Sequence, residues 1–283
     1  METIGRQALW SFNAEGKIEK MDSVLVRKEP ALHVSSFRIL ARKVAELQFR
    51  NRDFVLLFRG QKCDYRNKAG NTTIRPNLLR PMNPKKKPNP STISQRFKEL
   101  EIAERALLKA YARKFPSKED VRRLHREHIL RWSILQHYEV CPTPLLDVTH
   151  SLRIAASFAS EDNPKEAFVF VLGLPNLSGA ITASVEAGLQ IVRLASVCPP
   201  TAVRPHIQEG YLLGEYPEVT SADQKELYGD YEMDFGRRLV AKFRFNPSPF
   251  WKANPDFPQV PKAALYPEKD PLNSVENGQY SEN

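Results

Sequence analysis

Apolar residues follow two rhythms along the chain. From a serine cap at Ser35 or Ser36, Phe37, Leu40, Ala41, Val44 and Leu47 keep the i, i+3, i+4, i+7 spacing of a helix buried on one face. The run Phe54-Val55-Leu56-Leu57-Phe58 then predicts a strand that ends at Arg59-Gly60, and the Pro- and Asn-rich text from Gln61 to Pro90 predicts a long loop. Two helices are expected next. One spans about Ser91 to Phe115 and carries Ile93, Phe97, Leu100, Leu107 and Tyr111. The other spans Ser117 to Tyr138, opens with the capping pattern Ser117-x-x-Asp120 and buries Val121, Leu124, Trp132 and Leu135. After Asp147-Val148-Thr149-His150-Ser151, a short helix with Leu152, Ala155, Ala156 and Phe158 should pack closely because its side chains are small. Beyond Asn163-Pro164 the rhythm shifts to strands, at Ala167–Leu172, Leu189–Val197, Ile207–Leu213 and Leu239–Phe245.

Helices first and strands later indicate an α+β fold, with N-terminal helices packed on a mixed or mainly antiparallel sheet. We divide the 283 residues into an N-terminal extension (1–34), a single domain (35–272, with the loop 61–90 inside it) and a disordered tail (273–283). Seven prolines between Pro247 and Pro271 suggest a segment that wraps the surface. With 41% apolar and 10% aromatic residues the chain can build a core, and no period marks a repeat array. The greasiest run, Ala167 to Leu174, is strand-sized, so no membrane partner is expected. Residues 1–20 lack an apolar signal core, and the expected location is the cytoplasm.

Charge narrows the partners. The chain carries 42 Lys and Arg against 33 Asp and Glu, a net charge of +9, which favours an acidic partner such as a nucleotide, a phosphorylated metabolite or nucleic acid. Nucleic acid could be attracted through Lys85, Lys86 and Lys87, a run that otherwise reads as a solvated loop. Cys63, Cys141 and Cys198 are odd in number, far apart and without a Cys-x-x-Cys pair, which argues against a disulfide framework and a structural zinc site. His125 and His128 have ligand spacing on a helix, yet no carboxylate or cysteine pattern completes a zinc signature, and no metal is expected. There is no P-loop, no Gly-x-Gly-x-x-Gly and no Gly-x-Ser-x-Gly elbow, and Cys141 has no base partner in sight.

Four separated segments carry a resemblance. They are Phe58-Arg59-Gly60-Gln61, the block Leu135-Gln136-His137-Tyr138 with Pro142-Thr143-Pro144-Leu145-Leu146-Asp147-Val148-Thr149, Arg204 to Gly210, and Leu265-Tyr266-Pro267. In this order, over about Ser36 to Leu272, the chain resembles the FRG domain family, which shares a Phe-Arg-Gly motif, a Gln-His-Tyr block, a later Gln-x-Gly and a closing Leu-Phe-Pro. It departs from the pattern at Pro144, where an arginine is usual, at Val148, where a tryptophan is usual, and in a spacer, Glu139-Val140-Cys141, one residue longer. A looser pattern is similar to the mono-ADP-ribosyltransferases: an arginine ending a strand, then Thr149-x-Ser151 followed by Ala155, Ala156, Phe158 and Ala159. That likeness implies NAD as a possible cofactor, a split sheet, and a late glutamate strand.

Together these patterns propose a cleft for a nucleotide-like small molecule, with NAD cleavage or ADP-ribosyl transfer as its chemistry. A toxin or defence role accompanies that expectation. Breaking the nicotinamide bond passes through a cationic oxocarbenium sugar, so the site needs anion clamps and a carboxylate. The proposed catalytic set is Arg59, Gln136, His137, Gln208 and Glu209, and the cofactor-binding set is Arg59, Gly60, Gln61, Asp147, Thr149 and Ser151. On a strand Ile207–Leu213, Gln208 and Gly210 share a face that Glu209 does not, so either Glu209 is brought round by a bulge, or Glu215 serves, or there is no such catalysis. Each residue also has a structural alternative. Arg59 could pair with Asp147, Gln136 and His137 could cap their helix, and Asp147 or Thr149 could be the N-cap of the next. A nucleic-acid-binding module and a catalytically inactive interaction scaffold are the rival functions.

Overall fold

Period-two burial on both faces marks the central strand. In Ala167–Leu174 all eight residues are buried; Phe168, Phe170, Leu172 and Leu174 enter one apolar cluster, while Ala167, Val169 and Val171 enter another. The computed structural model describes residues 7–83, 85–86, 89–115, 117–176, 178–227 and 234–273. Its strands are β1 (Leu9–Phe12), β2 (Ile18–Met21), β3 (Leu32–His33), β4 (Val55–Gln61), β5 (Leu146–Thr149), β6 (Ala167–Leu174), β7 (Ile181–Ser184), β8 (Leu189–Arg193), β9 (Gly210–Glu215) and β10 (Leu239–Phe245). The helices are α1 (Ser23–Lys28), α2 (Phe37–Arg50), α3 (Pro90–Lys114), α4 (Lys118–Arg126), α5 (His128–His137), α6 (Leu152–Ala159), α7 (Leu194–Val197), α8 (Arg204–Ile207), α9 (Ala222–Leu227), α10 (Pro247–Lys252) and α11 (Lys262–Leu265).

The fold is α+β. Eight strands form one mixed sheet in the order β3-β10-β6-β4-β5-β9-β8-β7, antiparallel except where β3 runs parallel to β10, and β1 and β2 form a separate hairpin. One face of the sheet packs with residues of α3, α4 and α5, including Phe97, Leu107, Leu124 and Trp132. The other packs with α2, α6 and α10 through Leu40, Leu47, Ala155, Ala159 and Phe250. The α2 stripe is the one the spacing predicts, and Ser36 Oγ accepts from the Ile39 N–H as its cap.

Three elements differ from the sequence-based expectation. The helix expected over Ser117–Tyr138 breaks at Glu127, which takes an extended backbone between α4 and α5. The strand expected over Leu189–Val197 stops at Arg193 and turns into α7. The strand expected from Ile207 is helical there: α8 ends at Ile207 with Gln208 as its C-cap, Glu209 adopts φ +44°, and β9 starts only at Gly210. The prediction missed Pro205, which sits in the first turn of α8 as a helix opener.

The segment before residue 35 supplies the hairpin, α1 and β3, and the proline-rich segment crosses the surface as α10, α11 and the chain up to Asn273. Residues 274–283, part of the expected disordered tail, and Lys87 of the basic run lie outside the described residues.

Candidate functional site

The sheet splits between β4 and β5. β4 is registered with β6 along its whole length, Val55 to Gln61, but shares a single registered pair with β5, Phe58 with Thr149. Beyond that pair Arg59, Gly60 and Gln61 run on without β5 beside them. There the side chain takes over from the backbone, and Arg59 Nη1 donates to the Asp147 main-chain oxygen at 2.5 Å. A cavity of about 300 Å³ opens beside the split, lined among others by Arg59, Gly60, Gln61, Lys62, Gln136, His137, Glu139, Asp147, Thr149, Arg204, Gln208 and Tyr266.

Gly60 is fixed by packing. A Cβ on it would lie 1.9 Å from the Ala155 oxygen and 2.8 Å from the Ala159 nitrogen, so only a glycine lets β4 lie against the backbone of α6. The small residues of α6 make that approach possible, as the sequence predicts. The glycine thereby sets how far the adjoining Arg59 stands from α6.

A chain of hydrogen bonds orients Asp147. The Thr143 hydroxyl donates to Gln136 Oε1 at 2.6 Å, which leaves Gln136 Nε2 to donate to Asp147 Oδ2 at 2.6 Å. The other carboxylate oxygen lies 4.0 Å from His137 Nδ1. Burial holds the His137 pKa below its ordinary 6.5; Asp147 pulls it upward, and Arg204 adds to the lowering. Arg59 is likewise lowered to about 10, chiefly by burial, with Asp147 opposing and Arg80 reinforcing the shift. Among the described residues no carboxylate lies within ion-pair distance of Arg59. Four lining residues carry buried polar atoms with no protein partner among the described residues: Arg59 Nε, Gln61 Oε1, His137 Nε2 and Arg204 Nε.

Gln208 and Arg59, 149 positions apart in sequence, line the same cavity. Gln208 Nε2 donates to the Leu265 oxygen at 2.8 Å, which ties α8 to the proline-rich segment, and its own carbonyl accepts from Thr149 Oγ1 at 2.7 Å. Thr149 Oγ1 also accepts from the Ser151 N–H, so Thr149 braces the β5–α6 turn. Ser151 itself is not among the lining residues.

The late glutamate expected from the strand is not brought to the cavity. Glu209 is exposed and outside the lining; its main-chain oxygen accepts from the His150 N–H and its own N–H donates to the His206 carbonyl. Glu215 sits at the far end of β9, opposite Leu189, in an ion pair with Lys225. Gly210 faces Leu194 and His137 instead; a Cβ there would meet Leu194 Cδ1 at 2.8 Å. The carboxylates lining the cavity are Asp147 and Glu139.

Arg204 and Glu139 are the residues that sequence reasoning missed. Arg204 opens one of the segments that the motif order singles out and Glu139 lies in the spacer between the two parts of another, but nothing in their spacing marks them as partners. Arg204 Nη2 donates to Glu139 Oε1 at 2.7 Å, and its guanidinium lies over the rings of Tyr266 (4.7 Å) and Tyr138 (5.4 Å). Asp270 locks this corner by accepting from the N–H groups of Val203 and Arg204 and from the Tyr138 hydroxyl. Lys85 and Lys86 are exposed and do not line the cavity.

Comparison with known proteins returns neither a curated protein nor a solved structure with a significant match. No comparison supports the mono-ADP-ribosyltransferase likeness. The family model that matches does so over residues 55–167, from the first residue of β4 to the first of β6, a stretch that includes Arg59, Gly60, Gln136, His137, Asp147 and Thr149 of the cavity wall. The chain therefore carries an FRG domain.

Proposed function

We propose that the cavity binds a nucleotide-class ligand through its phosphate, with NAD as the first candidate. The observation that carries this reading is Arg59, half-buried with its Nε fully buried, which among the described residues meets a carbonyl but no carboxylate at ion-pair distance. A desolvated cation of this kind is costly unless an anion answers it, and the planar fork of arginine suits phosphate oxygens. The volume is at the small end of the range for small-molecule sites, roughly 300–1,000 Å³. Phe58, Phe158 and Tyr266 give the wall apolar surface for a base or a ribose. With NAD bound, the carboxylates available to a developing oxocarbenium charge are Asp147 and Glu139.

Nicotinamide release from NAD by the purified protein, beside Arg59→Ala and Gln208→Ala variants shown by thermal melting to be folded, tests both levels. Release that vanishes in the folded variants supports NAD cleavage in this cleft. No release and no NAD-induced shift in melting removes NAD as the ligand. The net charge of +9 and the exposed Lys85 and Lys86 favour a second reading, nucleic-acid binding. It predicts affinity that falls steeply with salt and depends on Lys85 and Lys86 rather than on Arg59.

A further inference from the structure

We propose that the ligand carries two adjacent anionic groups, a diphosphate rather than a lone phosphate, and that the second group takes the place on Arg204 that Glu139 holds in this structure. The proposal rests on the reading of the cavity as a nucleotide site and names the class of nucleotide.

Arg204 is built in. Its side chain is 4% exposed, it lies over two tyrosine rings, and its backbone N–H is held by Asp270. Its partner is not built in. The Glu139 side chain is 61% exposed, and its backbone at φ +54° holds a conformation that an ordinary L-residue adopts rarely. Among the described residues the bond to Arg204 is the one hydrogen bond its carboxylate makes. Water solvates the exposed Glu139 carboxylate as soon as it leaves, so its side of the pair is readily given up. The buried guanidinium has no such recourse and must be answered by another anion.

The two arginines line one cavity. Arg59 bonds the Asp147 carbonyl, the Asp147 carboxylate faces His137, and His137 and Arg204 stand in the same wall. Both guanidinium groups also keep an Nε without a protein partner. In a cavity of about 300 Å³, one small ligand with linked phosphates can engage both.

Calorimetric titration of the full chain with AMP and ADP tests the proposal. Glu139→Gln is expected to tighten ADP by about three- to tenfold while changing AMP by less than about twofold. Glu19→Gln, at an exposed carboxylate on the β1–β2 hairpin outside the cavity, is expected to change neither. Arg204→Lys is expected to bring ADP down to the affinity of AMP; should that variant fail to fold, the Glu139→Gln titration is sufficient by itself. Equal shifts for AMP and ADP, or weaker ADP binding by Glu139→Gln, overturn the diphosphate proposal. If AMP binding still depends on Arg59 in that case, the nucleotide reading survives without it. If neither nucleotide binds, both fall together.

Discussion

Two charged clusters in this molecule are built from similar residues and differ in how completely they are answered. Beside β10, Lys242 Nζ donates to the carbonyls of Arg27 and Glu29 and to Thr72 Oγ1, with Asp64 at 3.6 Å. Arg27 meets Asp234 at 2.5 Å and the Thr72 carbonyl at 2.8 Å, and Asp234 also accepts from the N–H groups of Ile74 and Gly236. Burial lowers Lys242 to about 8, with Asp64 opposing. In the split between β4 and β5, by contrast, Arg59 finds a carbonyl, Arg204 finds a loosely held carboxylate, and polar atoms stay unpartnered. The first cluster is closed by the protein itself and acts as a clasp between the 61–80 segment, α1 and β10. The second is left open among the described residues, and under the proposed function a ligand closes it. Incomplete satisfaction, more than burial or charge, separates a site from a strut.

The largest expected effect lies in the closed cluster. Asp234→Ala takes the carboxylate away from the Arg27 guanidinium and from the N–H groups of Ile74 and Gly236, and is expected to cost about 3–5 kcal/mol in denaturant unfolding. A loss below about 1 kcal/mol would mean that the clasp is no more committed than the cleft, and the contrast would fail. Gly60→Ala comes next. Its Cβ would collide with the Ala155 carbonyl, a backbone atom that cannot step aside, and a loss of about 3 kcal/mol is expected. This substitution strikes the wall that carries Arg59, so any ligand affinity should fall with the stability; a well-folded variant with full stability would show that β4 and α6 are not locked together.

A smaller effect is expected from His137. Its folded pKa lies below the ordinary 6.5, so as pH falls below 6.5 the unfolded chain takes up a proton that the folded chain refuses. Stability is therefore lost as pH drops from 6.5 through the folded value, and His137→Gln should remove that part of the acid loss. Chemical unfolding of both proteins at pH 7 and pH 5 checks it; parallel losses would place His137 in a polar, relaxed setting.

Much of the scaffold was legible because it is local. The 3.6-residue stripe of α2, the alternation in β6 and the small-residue face of α6 each depend on neighbours a few positions away. The break at Glu127 was not legible, since neither proline nor glycine marks it. The polar text of 61–90 predicts a long loop and says nothing of its burial, yet Thr72, Thr73, Ile74, Leu78 and Leu79 are buried, where Asp234 and Lys242, more than 150 positions on, answer its polar groups. The site was half legible for the same reason. Arg59, Gln136, His137, Asp147, Thr149 and Gln208 stand in recognisable patterns and do share one cavity. The position of Glu209, the absence of Ser151 from the wall and the pairing of Arg204 with Glu139 depend on a left-handed turn and on strand order, neither of which periodicity records.

The smallest expected change in stability is the sharpest test of the contrast. Arg59→Met keeps most of the side-chain volume and removes a cation that no carboxylate neutralises. The loss is one hydrogen bond to the Asp147 carbonyl, worth about 1 kcal/mol, and the gain is relief from desolvating a charge. The two nearly cancel, so unfolding free energy should stay within about 1 kcal/mol of the parent or rise slightly. An arginine retained for its ligand leaves this signature, stability untouched while binding is lost; an arginine retained for the fold behaves like Arg27, whose partner costs several kcal/mol to remove. If Arg59→Met destabilises as much as Asp234→Ala, the guanidinium is a strut across the split sheet, and the opening between β4 and β5 loses its claim to be a binding site.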